Sequence, residues 1–170
     1  MSLCPTYVLV VSVSVLMASG GGFAQDNALL LTNSLQSATG RFALNRAARE
    51  AVQRLERPEC RKVLSDFRDA SGRTIQMRLN LLEETPRSYL MRLTFREAFD
   101  RRCQDSVTLA FTYLGSREVF ICGTQFWQAY RRNPSHVEAL VIHEMMHTLG
   151  LGENPPSSLE INARVLARCW

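Results

Sequence analysis

Two of the chain's three histidines fall four residues apart, in His143-Glu144-Met145-Met146-His147. On a helix, residues at that spacing stand one turn apart on the same face. Two imidazoles so placed can hold one zinc ion, each nitrogen about 2.0–2.1 Å from the metal. Glu144 lies one position on, rotated by about 100° around the helix. From there its carboxylate can reach a water on the metal, take its proton and deliver it to a leaving amine. Zinc allows this near neutral pH by lowering the pKa of the water. A catalytic zinc needs a third protein ligand and one open position. Glu153, six residues after His147 and just past Gly150 and Gly152, is the first candidate. A glycine at 150 can take a left-handed conformation and turn the chain back under the helix. Glu160 is the competing third ligand, and His136 reads as a surface residue. Without a metal, the two histidines would be core residues bonded to backbone, with Glu144 in an ion pair.

These residues need a helix to carry them. Ser135 followed by Glu138 has the spacing of a capping box, with Pro134 before it, and predicts a helix from His136 to Gly150. Val137, Leu140, Val141, Ile142, Met145, Met146 and Leu149 make that helix apolar nearly all round, which marks it as buried. Buried imidazole and carboxylate groups need partners, and a metal is one. Ser157 and Glu160 form a second capping box, opening a helix through Arg168; capping explains Glu160 without a metal.

Upstream, Phe42, Leu44, Ala48, Val52 and Leu55 recur near helical spacing over residues 41–55. Pro58 suits the first turn of a second helix, to about Phe67, ended by Ala70-Ser71-Gly72. Ile75, Met77 and Leu79 alternate over 74–80 as in a strand, and Tyr89 to Phe95 is strand-like. Ser106–Leu114 and Glu118–Cys122 flank Gly115-Ser116-Arg117, the strongest hairpin signal in the chain. Residues 25–40 are small and polar and read as a loose N-terminus. Helices on both sides of a small, mostly antiparallel sheet predict an α+β fold in one domain, residues 25–170.

Residues 1–24 contain no Asp, Glu, Lys or Arg, and Tyr7–Ala18 is apolar apart from serines. That run is too short for a membrane span, which needs about 20 residues. It fits the core of a secretory signal peptide cut after Gly22-Phe23-Ala24. No basic residue precedes the run, so a retained anchor is the alternative. The mature chain then keeps Cys60, Cys103, Cys122 and Cys169. An even number of cysteines in an exported chain implies two disulfides, with three connectivities open. The hairpin between them favours Cys103–Cys122, and hence Cys60–Cys169. A four-cysteine zinc site lacks the CxxC pairs it would need. The expected location is extracytoplasmic, periplasmic or secreted. The net charge is +4, and its basic residues form no stripe or arm, which argues against nucleic acid as a partner. After cleavage no stable membrane insertion is expected.

The HExxH pattern resembles the active-site helix of the zincin metallopeptidases. The spacing to Gly150 and position 153 looks like that of metzincins, whose third ligand is usually His or Asp; Glu153 departs from that. Only 17 residues follow it and none is Met, so there is no metzincin Met-turn. Ala110-Phe111-Thr112-Tyr113, Val119-Phe120-Ile121-Cys122-Gly123 and Phe126-Trp127 are similar to the segment before the HExxH helix in the deuterolysin-like aspzincins, although the later GTxxD motif is missing. The tail from Gly150 to Ile161 looks like that of small exported bacterial proteins. The resemblance implies a roof helix, an edge strand and the active-site helix below, with an extended substrate pairing along the hairpin of residues 107–122. Tyr113 and Tyr130 are candidate donors to the oxyanion. The expected function is an exported zinc peptidase acting on peptides or proteins, with Glu144 as general base and His143, His147 and Glu153 as ligands. The alternative is a zinc-containing extracytoplasmic binding or structural protein without turnover.

Overall fold

A computed structural model describes residues 31–105 and 107–170. The expected signal peptide and residue 106 lie outside that range. In chain order the elements are β1 (Thr32–Ser34), α1 (Ala38–Leu55), α2 (Pro58–Arg61), α3 (Val63–Asp66), α4 (Ile75–Leu81), α5 (Pro86–Met91), β2 (Thr94–Glu97), a 3-10 turn (Arg101–Gln104), β3 (Ala110–Thr112), β4 (Glu118–Ile121), α6 (Gly123–Arg132), α7 (Pro134–Thr148) and α8 (Ser158–Cys169). The fold is α+β. α1 begins where the Ser37 side chain accepts from Gly40 N, and it buries Ala43, Ala47, Ala48 and Ala51 beside Leu44, Val52 and Leu55. The alanine face lets other helices approach closely, and α1 packs against α6 and α7.

The sheet has the order β1-β2-β4-β3. β1 pairs with β2, and β2 with β4, in parallel, whereas β3 and β4 run antiparallel. The expectation of a mostly antiparallel sheet is therefore corrected to a mixed one. The hairpin turn is present, with Gly115 at φ +74°, but β4 inserts between β2 and β3 and leaves β3 as an edge. β1 arises in the segment expected to be loose, and three residues are too few to show a period. Val119 and Ile121 point into the core, while Phe120 faces Phe111 across the strands on the outer side.

Three further local expectations are corrected. Residues 75–81 form helix α4 rather than a strand. The Thr74 side chain accepts from Met77 N, and Ile75 and Leu79 share the buried face while Met77 is 51 % exposed. Alternation at 75, 77 and 79 also contains an i,i+4 pair, and the cap decides between the two periods. Tyr89–Leu90 belong to α5, opened by a Thr85–Ser88 capping box with Pro86 in its first turn, so the strand starts only at Thr94. Helix α7 starts at Pro134, because Asn133, not Ser135, is the cap: its side chain accepts from His136 N at 3.2 Å. Disulfides Cys60–Cys169 and Cys103–Cys122 are both present as expected. The first ties α8 to α2, and the second ties the 3-10 turn to the start of α6.

Candidate metal centre

Helix α7 is buried from Val137 through Thr148. His143, Glu144 and His147 are only 2 %, 4 % and 8 % exposed. The helix stops where Gly150 takes φ +103°, with Gly150 N donating to His147 O and Leu151 N to Met146 O. That reversal brings the following loop back beneath the last turn. The Glu153 carboxylate then lies 3.5 Å from His143 Nε2 and 3.6 Å from His147 Nε2. The two Nε2 atoms are 2.7 Å apart. His143, His147 and Glu153 thus offer ligand atoms within 4.8 Å of one another and could hold a metal ion.

The donor set fits zinc. Two imidazoles and one carboxylate leave the fourth position open, as catalytic zinc sites require. Tetrahedral bonds of about 2.0–2.1 Å separate ligand atoms by roughly 3.3 Å, close to both Glu153 distances; the Nε2 pair would open by roughly 0.6 Å. Each ring also has a partner behind it. His147 Nδ1 meets the Leu151 carbonyl at 2.6 Å, and His143 Nδ1 meets Asn162 Oδ1 on α8 at 3.0 Å. Burial, with the neighbouring His147, pushes the His143 pKa down to about 4, so the ring is neutral near pH 7 and has a lone pair to give.

Glu144 Oε2 is buried and has no hydrogen-bond partner among the described residues. Burial, and then the Glu153 charge, push its pKa up to about 8. A cation between the histidines acts in the opposite sense and favours the carboxylate. A buried carboxylate oxygen with no partner among the described residues is costly, and such an atom calls for a partner from outside them.

The other candidates fall elsewhere. Glu160 accepts from Ser157 N and Ser157 Oγ, both at 2.7 Å, as the cap of α8, and those bonds hold its carboxyl below the usual range. His136 is half-buried in the first turn of α7, outside the cluster. The Tyr113 hydroxyl accepts from Arg102 at 3.1 Å on the outer face of the sheet, where Arg102 also stacks on Phe111. Tyr130 packs against the core from α6. Neither tyrosine belongs to the cluster. Two participants escaped the sequence reading: Asn162 and the Leu151 carbonyl. A backbone carbonyl has no sequence signal. Asn162 has a faint one, a carboxamide beside the apolar Ile161 and Val165 positions of α8.

Comparison with protein-family models, with curated proteins and with solved structures gives no match. The chemistry of the site therefore rests on its own geometry.

Proposed function

We propose that this chain is an exported zinc-dependent peptidase. The observation that carries the reading is the convergence of His143, His147 and Glu153 beside Glu144, whose buried Oε2 has no hydrogen-bond partner among the described residues. Zinc, when bound, supplies a Lewis acid that polarises a carbonyl and makes water nucleophilic near pH 7. His143, His147 and Glu153 hold the ion. Glu144 Oε2 takes the proton of the attacking water and passes it to the leaving amine, so that peptide and water become an acid and an amine. Strand β3 borders α7 and, among the described residues, lies at the edge of the sheet, which suits main-chain pairing with an extended peptide. Export through a leader cut after Ala24 is consistent with the two disulfides. Among the described residues no helix is long and apolar enough to cross a membrane.

A second reading is a zinc-holding extracytoplasmic binding or structural protein without turnover. It is favoured by how little of His143, Glu144 and His147 meets solvent. Metal analysis together with a peptide-library screen of wild type and Glu144→Gln separates the two. Cleavage by wild type alone supports the peptidase; zinc without cleavage of any unfolded substrate supports the second reading.

A further inference from the structure

We infer that Asn162 is a positioning residue for the metal centre, holding the proton of His143 on Nδ1 so that the Nε2 lone pair faces the ion. The inference rests on the metal-binding part of the reading above.

The two histidines face different constraints. His147 Nδ1 meets a backbone carbonyl, which can only accept, so the neutral ring is held as the Nδ1–H tautomer, with its Nε2 lone pair toward His143. His143 Nε2 lies 2.7 Å from His147 Nε2, a hydrogen-bond distance. A neutral His143 left to itself would place its proton on Nε2 and donate it to His147, closing the pair against a cation. Asn162 acts from the other side of the ring. Its Oδ1, 3.0 Å from His143 Nδ1, gains a bond only when the proton sits on Nδ1. The side-chain oxygen therefore offsets the pull of His147 and keeps both Nε2 atoms available together. Such partners behind a ligand histidine are worth about 10–100-fold in metal affinity.

The fold places Asn162 with little freedom. The Ser157–Glu160 capping box fixes the start of α8, Ile161 and Val165 anchor it on either side of Asn162, and Cys60–Cys169 clamps its far end. A positioning group on a pinned helix holds its angle better than one on a loop.

The test measures zinc affinity of the full mature chain by competition with a chromophoric chelator, for wild type, Asn162→Ala and Asn162→Asp. Melting in the presence of chelator checks the fold. Alanine is a good helix former and adds no bulk, so Asn162→Ala should melt like wild type yet bind zinc about 10–100-fold more weakly. Aspartate accepts the same bond, so Asn162→Asp should bind as tightly as wild type or more so. Equal affinity in wild type and Asn162→Ala overturns the inference, as does an Asn162→Asp variant as weak as Asn162→Ala. The assay needs no turnover, so an inactive but zinc-binding wild type removes the peptidase and leaves this role standing. A wild type that binds no zinc removes both.

Discussion

Glu138 on α7 and Arg54 on α1 form an ion pair at 3.2 Å between the two helices that frame the core. Their side chains are 8 % and 16 % exposed. Burial raises the Glu138 pKa although Arg54 lowers it, so desolvation outweighs the pairing. Arg54 also donates to the Cys169 carbonyl and stacks on Trp170. Replacing it with methionine should cost about 1–3 kcal/mol at pH 7, less than the 3–5 of a fully enclosed pair because solvent screens the rim. The sign with pH follows from the carboxyl. Its folded pKa lies above the unfolded value of about 4.3 and rises further without Arg54, so the penalty is present at neutral pH and fades as pH falls through the folded pKa toward 4. Denaturant unfolding of Arg54→Met and of Arg54→Met/Glu138→Leu at pH 7 and pH 4.5 checks this. A loss independent of pH would show that Arg54 acts through Cys169 and Trp170 instead.

Zinc should bind at about one ion per chain, and the ligands should separate cleanly. His147→Ala loses most of the metal, because two remaining ligands seldom retain it. Glu153→Ala weakens binding and, through it, any activity. Glu160→Ala lowers the melting temperature, because Glu160 caps α8, and weakens zinc binding far less than Glu153→Ala does. Metal analysis after dialysis reads all three, and the opposite order for Glu153 and Glu160 would reassign the third ligand.

Glu144→Gln should keep zinc and fold while hydrolysis falls by about 10²–10⁴-fold, the usual worth of general acid–base catalysis. The amide preserves shape but cannot take the proton of water. Initial rates on a substrate that wild type cleaves, with zinc content measured on the same samples, decide it. Full activity in Glu144→Gln would end the proposed mechanism.

The two disulfides should differ in worth. Cys60–Cys169 spans 109 residues and Cys103–Cys122 spans 19. On loop-closure entropy, removing the first should cost about 4–5 kcal/mol and the second about 3 kcal/mol. Paired alanine variants compared by urea unfolding give both values, and equal losses would mean that loop length is not the governing quantity here.

What the chain determined through sequence alone is whatever depends on neighbours along it. The His143–His147 spacing, the Gly150 turn toward Glu153 and the Ser157–Glu160 cap are relations of three to six residues, where helix geometry leaves few choices. The hairpin between Cys103 and Cys122 favoured one of three cysteine pairings, and the structure has that one. Residues 75–81 mark the limit: Ile75, Met77 and Leu79 satisfy two periods, and the Thr74 cap together with the face that meets the core selects the helix. Tertiary structure alone decided the rest. Three-residue β1 exists because β2 offers it a ladder, and the parallel β2–β4 pairing depends on β4 inserting inside β3. Glu138 serves Arg54, 84 residues away, rather than a cap. Asn162 reaches His143 because α8 is laid against α7. Such contacts follow from which surfaces pack together, and packing is a property of the whole core, not of any local stretch of residues.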